Sequence, residues 1–93
     1  MGTLQNIFNN SLDEWVIMEN KIKALFADVL QISSDQINDR STPYTIEAWD
    51  SLNHLNLIAS FEEEFSIDID PEEIPLMMVS YLQFKTYILN KLG

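Results

Sequence analysis

The sequence predicts an all-α protein: an antiparallel four-helix bundle of three long helices and one short one, with an N-terminal helical extension. Three observations lead there. Apolar residues recur at spacings of three and four along nearly the whole chain, which is the period of one helix face. Runs of β-branched alternation and hairpin dipeptides are both missing, so strands leave no signature. The 93 residues, 46% of them apolar, suffice for one hydrophobic core and leave no room for a second. Helices with such faces bury them by packing antiparallel. Residues 1–16 read as an extension and residues 17–93 as the folded domain.

Leu4, Ile7 and Phe8 suggest a short first helix, which Asn9 and Asn10 interrupt. Ser11 to Glu14 reads S-x-x-E, a capping box, so the first long helix is expected to start there. Its core face would be Trp15, Met18, Ile22, Leu25, Phe26 and Val29. Gln31 to Thr45, rich in Ser, Asp, Asn and Thr and holding Pro43, reads as a long loop with short turns of its own. Ile32, Ile37 and Tyr44 are its candidates for inward-pointing side chains. The second helix runs from about Ser51 to Phe65. On a helical wheel Asn53, Asn56, Ser60, Glu63 and Glu64 share a polar sector of roughly 100°. Leu52, Leu55, Leu57, Ile58, Ala59, Phe61 and Phe65 fill the rest, which predicts a central helix touched by several neighbours. Ile67 and Ile69 anchor the connector that follows. Asp70-Pro71-Glu72-Glu73 opens a third helix, with Asp70 as its cap, and Pro75 keeps that helix short or bent. Ser80 to Gln83 is a second capping box. It starts the last helix, whose core face is Tyr81, Phe84, Ile88 and Leu92.

Composition excludes several chemistries. Fifteen Asp and Glu face five Lys and Arg, a net charge of −10. Such a chain repels nucleic acid and anionic membrane and attracts basic protein surfaces. Nine acids lie between Arg40 and Lys85 with no Lys or Arg among them, which reads as a solvated acidic face or a docking face for basic partners. The absence of cysteine excludes disulfides, thiolate zinc sites and a cysteine nucleophile. A single histidine excludes a two-histidine metal site, and no metal ligand set is expected. The two glycines are Gly2 and Gly93, so no interior Gly-rich loop can cradle a nucleotide phosphate. Met1-Gly2 hints at myristoylation, but Asn6 stands where that motif wants Ser or Thr. No basic leader precedes an apolar run, and no run approaches the roughly 20 residues of a membrane span. A soluble, cytoplasmic monomer is expected.

Asp50-Ser51-Leu52 sits where the long loop meets the second helix. With Asp50 as cap, Ser51 is the first helical residue, its hydroxyl exposed at the positive end of the helix dipole, which suits a phosphate. Alternatively Ser51 is itself the cap and the helix starts one residue later. Ser51 and His54 could touch on one helix face, but a hydrolase pair also needs an orienting third group and an oxyanion hole. No catalytic residue is therefore assigned, and His54 reads as a half-buried helix histidine. Asp68, Asp70, Glu72 and Glu73 resemble part of a calcium loop but lack its sixth-position glycine. Met77, Met78 and Val79 read as core that could also line a space for an acyl chain.

The stretch Trp49-Asp50-Ser51-Leu52-Asn53-His54-Leu55-Asn56-Leu57-Ile58, with Phe61-Glu62-Glu63-Glu64-Phe65 after it, resembles the acyl carrier protein family. Upstream, Ile22, Leu25, Phe26, Val29, Leu30, Ile32 and Ile37 are similar to the family's first helix and long loop. Downstream, Ile69 to Glu73, Ser80 and Tyr87-Ile88 are similar to its third and fourth helices. The likeness runs from about Met18 to Leu92. It implies a carrier domain in which Ser51, flanked by Asp50 and Leu52, bears a 4′-phosphopantetheine arm through a phosphodiester. The arm would supply the thiol that the chain lacks. A phosphopantetheinyl transferase would deliver it from coenzyme A, and acyl-loading and acyl-transferring enzymes with basic docking faces would read Asn53, Asn56, Glu63 and Glu64. Ala48 and Trp49 stand where the family commonly begins with Gly two residues before the Asp, and Asn53 and Asn56 stand where many members carry acids. These departures suggest a stand-alone carrier in a dedicated pathway. An aminoacyl or peptidyl carrier is the alternative within the superfamily, and a helical interaction module without an arm is the alternative outside it.

Overall fold

The computed structural model describes residues 3–93, with side chains from Asp13 onward. It is the expected four-helix bundle, and among the described residues all regular structure is helical: α1 (Thr3–Leu30), α2 (Ser51–Phe65), α3 (Ile74–Met77) and α4 (Tyr81–Leu92), with 3-10 turns at Ser34–Gln36 and Pro71–Glu73.

The beginning differs from expectation. α1 runs unbroken for 28 residues, so Asn9 and Asn10 do not interrupt it and Ser11 does not start it. Asparagine costs a helix only a few tenths of a kcal/mol per residue, and no proline or glycine lies between Thr3 and Leu30. At about 1.5 Å per residue such a helix overshoots the bundle: Trp15, Val16 and Ile17 are exposed. Trp15 therefore does not join the core face, which begins at Met18 and Ile22. The Leu4, Ile7 and Phe8 side chains lie outside the described residues.

Phe26 centres the core. Its ring meets Trp49 and Tyr81 edge-on at 5.0 Å each and Phe84 at 5.1 Å, and Phe84 meets Phe61 at 4.9 Å. Edge-to-face pairs of this kind each add about 0.5–1.5 kcal/mol beyond the area they bury. α1, α2 and α4 supply this centre together with the loop, from which Ile37, Ile46 and Trp49 are buried.

The long loop is held by local bonds. The Ser41 hydroxyl accepts from the Asn38 amide at 2.9 Å, and the Ser41 carbonyl accepts from the Tyr81 amide at 2.8 Å, pinning the loop to the start of α4. Lys85 on α4 donates to Glu19 on α1 and to Asp39 in the loop, at 2.9 Å each. Burial pushes the Lys85 ammonium down, but its bonds to these two carboxylates outweigh that and hold its pKa above the ordinary value. Tyr44, expected to tuck inward, is 98% exposed. Thr42 and Thr45 close a turn around it, which leaves the ring outside.

α2 is less enveloped than its apolar arc suggested. His54, Leu57, Ile58 and Phe61 are buried, whereas Leu52 and Leu55 are exposed. After α2, Glu62 accepts from the Ile69 amide at 2.9 Å and fixes the connector. Asp70 stands at the cap position, yet its carboxylate makes no capping bond. Instead its amide donates to the Tyr87 hydroxyl at 3.2 Å. The third helix is short, as Pro75 requires. Met77 is buried, but Val79 and Leu76 are exposed and line an open groove of about 240 Å³ between α3 and α4. Ser80 caps α4 by accepting from the Gln83 amide at 3.1 Å.

Candidate functional site

The turn from Ala48 to His54 is closed by its own side chains. Asp50 caps α2: its Oδ1 accepts from the Asn53 amide at 2.8 Å. Ser51 is thus the first helical residue, exposed, and its hydroxyl is not needed for capping. The first turn of α2 carries no acid beyond the cap, so the positive end of the helix faces out beside Ser51.

Asn53 lies in the polar sector of the wheel, the sector expected to face outward. It is half-buried, and its Nδ2 donates to the Ala48 carbonyl at 2.7 Å. Asn56, exposed, donates back to Asn53 Oδ1 at 3.2 Å. The position reads as polar on the wheel, and nothing in the spacing reveals that its amide reaches back across the turn.

Trp49 and His54 carry the turn's link to the core. Trp49 is 1% exposed and His54 3%, so the histidine is more deeply buried than a helix-edge position implies. The Trp49 Nε1–H donates to His54 Nδ1 at 3.0 Å, and His54 Nε2 bonds the Ile74 carbonyl at 2.7 Å. Burial holds the His54 pKa below 6.5, with the Ile74 carbonyl acting the other way. Both ring nitrogens are engaged by these bonds, so His54 is not a base for Ser51. Its only sequence signal was an odd one, a tryptophan and a histidine flanking an exposed serine.

The structure therefore brings Asp50, Ser51, Leu52, Asn53 and Asn56 to one end of α2. Leu52 and Leu55, exposed beside Ser51, add an apolar surface there. Glu63 and Glu64 are exposed at the far end of the same helix, about 18 Å along its axis. A cleft of about 580 Å³ lies elsewhere, between α1, the loop and α4, and is lined by Lys23, Arg40, Lys85, Glu19 and Asp39 among others. None of the residues around Ser51 lines it.

This arrangement suits the attachment of an anionic group to a serine. The hydroxyl is accessible, the helix end favours a phosphodiester, and the two nearest titratable side chains in the chain are committed to other partners: Asp50 to the Asn53 amide and His54 to Trp49 and Ile74. A family model described as the phosphopantetheine attachment site matches residues 20–80. The chain is also similar to an acyl carrier protein from Picosynechococcus sp., 31% identical over 74 residues, which span 80% of this chain and 90% of that protein.

Proposed function

The chain belongs to the acyl carrier protein family, and from that premise we propose that it holds acyl intermediates as thioesters on a 4′-phosphopantetheine arm joined to Ser51. The observation that carries this is the position of Ser51: exposed, first in α2, with capping already supplied by Asp50, inside the matched residues. When bound, the arm supplies the thiol for a thioester, which a chain without cysteine cannot offer. The protein's own part is to present the hydroxyl, to leave the helix end free of competing acids, and to hold the turn in place.

The chain is a substrate for enzymes and has no turnover of its own. Leu52, Leu55 and Asn56 beside the serine, and Glu63 and Glu64 further along α2, form the outward face that partner enzymes meet. Asn53 contributes less to that face, since its amide is spent on Ala48. The missing acids at Asn53 and Asn56 support a dedicated pathway, whose partners read the apolar Leu52–Leu55 surface and the distal glutamates. The carrier domain is residues 17–93, monomeric and cytoplasmic, and residues 1–16 are its N-terminal extension, within which α1 begins at Thr3.

The test is loading. The chain is incubated with coenzyme A and a broad-specificity phosphopantetheinyl transferase, then with an acyl donor and its ligase. One hydroxylamine-labile acyl group per chain is the expected result. A chain that stays unmodified, or one whose acyl group resists hydroxylamine, contradicts the proposal.

A further inference from the structure

We propose that His54 is the positioning residue for Ser51: a neutral imidazole that ties the turn presenting the serine to the first residue of α3, so that attachment point and third helix hold one arrangement. This rests on the assignment of the arm to Ser51.

The bonding pattern admits one state of the ring. The indole nitrogen of Trp49 can only donate, so His54 Nδ1 must carry the lone pair. The ring proton then sits on Nε2, where it donates to the Ile74 carbonyl at 2.7 Å. A second proton would go to Nδ1, directly against the Trp49 N–H, 3.0 Å away. Protonation therefore breaks the link to Trp49 while leaving the one to Ile74. Trp49 is adjacent to the cap Asp50 and two residues from Ser51. Two further bonds, Asn53 to Ala48 and the His54 amide to the Asp50 carbonyl at 2.8 Å, transmit its position to the serine. A turn held this way spares the transferase the cost of ordering its substrate.

The surroundings isolate the switch. The ring lies between Trp49 and Phe84 of α4, with centroids 6.1 Å from each. Tyr81 on α4 is the other buried titratable group among the described residues, and its hydroxyl is pushed above its ordinary range by burial, then by Asp39 and Glu19. It stays neutral wherever His54 titrates. Asp50, on the same helix, points its carboxylate at the Asn53 amide. Glu73 precedes Ile74 in the chain; burial lowers the His54 pKa and the Ile74 carbonyl opposes that shift.

The experiment compares arm uptake by the full chain and three variants, from about pH 8 to about pH 5. Trp49→Phe removes only the indole donor. His54→Gln keeps a donor for Ile74 and loses the acceptor for Trp49. His54→Asn places an oxygen where Nδ1 stands and keeps that acceptor without titrating. The same transferase serves every protein, so ratios of kcat/KM cancel its own pH dependence. At high pH the wild type is expected to load about tenfold better than Trp49→Phe and His54→Gln, through KM more than kcat, with His54→Asn in between. As His54 takes up its proton, the ratio of wild type to Trp49→Phe falls toward one, while that of His54→Asn to Trp49→Phe stays level. A Trp15→Phe background leaves one indole, whose N–H resonance shifts with the same midpoint, and this reading stands even if Trp49→Phe does not fold. Ratios that stay constant with pH, variants that load as fast as wild type, or an indole resonance that does not titrate overturn the proposal. Failure of the wild type to take up the arm, or uptake by Ser51→Ala, overturns the Ser51 assignment instead, and the indole titration is independent of both.

Discussion

Asn53 does two jobs in the turn around Ser51: its backbone amide satisfies the cap, and its side-chain amide holds the Ala48 carbonyl. Asn53→Asp would place a carboxylate oxygen against that carbonyl. We expect it to cost about 1–2 kcal/mol, the lower part of the range for an unmade hydrogen bond because the site is half-buried, whereas Asn56→Glu, on an exposed side chain, stays within about 0.5 kcal/mol. Urea denaturation of the two single variants separates them, and equal midpoints would show that the Ala48 bond contributes nothing. Asn56→Glu is accordingly the cleaner way to restore an acid beside Ser51. His54 carries a second expectation. Its folded pKa lies below its ordinary value of 6.5, so the unfolded chain takes up the proton first. The stabilisation is complete above about pH 6.5 and is lost as pH falls from there toward the folded value. Because acid also relieves repulsion among carboxylates, the quantity to measure is the stability of wild type minus that of His54→Gln. That difference should shrink through this window, and a flat difference would contradict it. The cap at Asp50 and the exposed serine were legible in the sequence because capping is local. The Trp49–His54–Ile74 chain was not, since a bond spanning twenty residues leaves no mark in local periodicity.

The helices follow the same division between local and non-local causes. α2 and α4 begin where Asp50 and Ser80 stand as caps, and Pro75 limits the third helix. The start of α1 was misread because a Ser-x-x-Glu pattern inside a sequence that favours helix throughout is only four helical residues. Val79 was misread as core, and the apolar arc of α2 that includes Leu52 and Leu55 as covered by neighbours, because the wheel counts apolar residues and cannot say which of them lack a neighbour. What joins the elements is also non-local. Lys85 ties α4 to α1 and to the loop through Glu19 and Asp39. Lys85→Met keeps the aliphatic stem and leaves the two carboxylates without their cation. We expect a loss of about 1–2 kcal/mol, more than an exposed pair contributes and less than a fully buried one. The loss should diminish in high salt, and thermal melts over a salt series would show it. A variant as stable as wild type at low salt would mean that the Lys85 pairs contribute nothing to holding the loop.

For the whole molecule the governing quantity is charge. With a net charge of −10 and nine acids between Glu47 and Glu73, self-repulsion at neutral pH outweighs what salt removes from the Lys85 pairs. The melting temperature of the wild type is therefore expected to rise with added sodium chloride, and a fall would mean that the acidic face is not repulsive. That surplus of negative charge, the single core and the order of helices were all readable in composition and period, and the likeness to acyl carrier proteins was readable in the residues around Ser51. The central claim is that Ser51 alone receives the arm, and intact mass tests it most directly. Wild type and Ser51→Ala are each incubated with coenzyme A and a broad-specificity transferase and then weighed. Because an exposed hydroxyl at the first helical position contributes within about 0.5 kcal/mol, the variant should fold like the wild type. The wild type should gain the mass of one phosphopantetheinyl group and the folded variant none. A wild type that gains nothing, or a variant that gains the same mass, would contradict it.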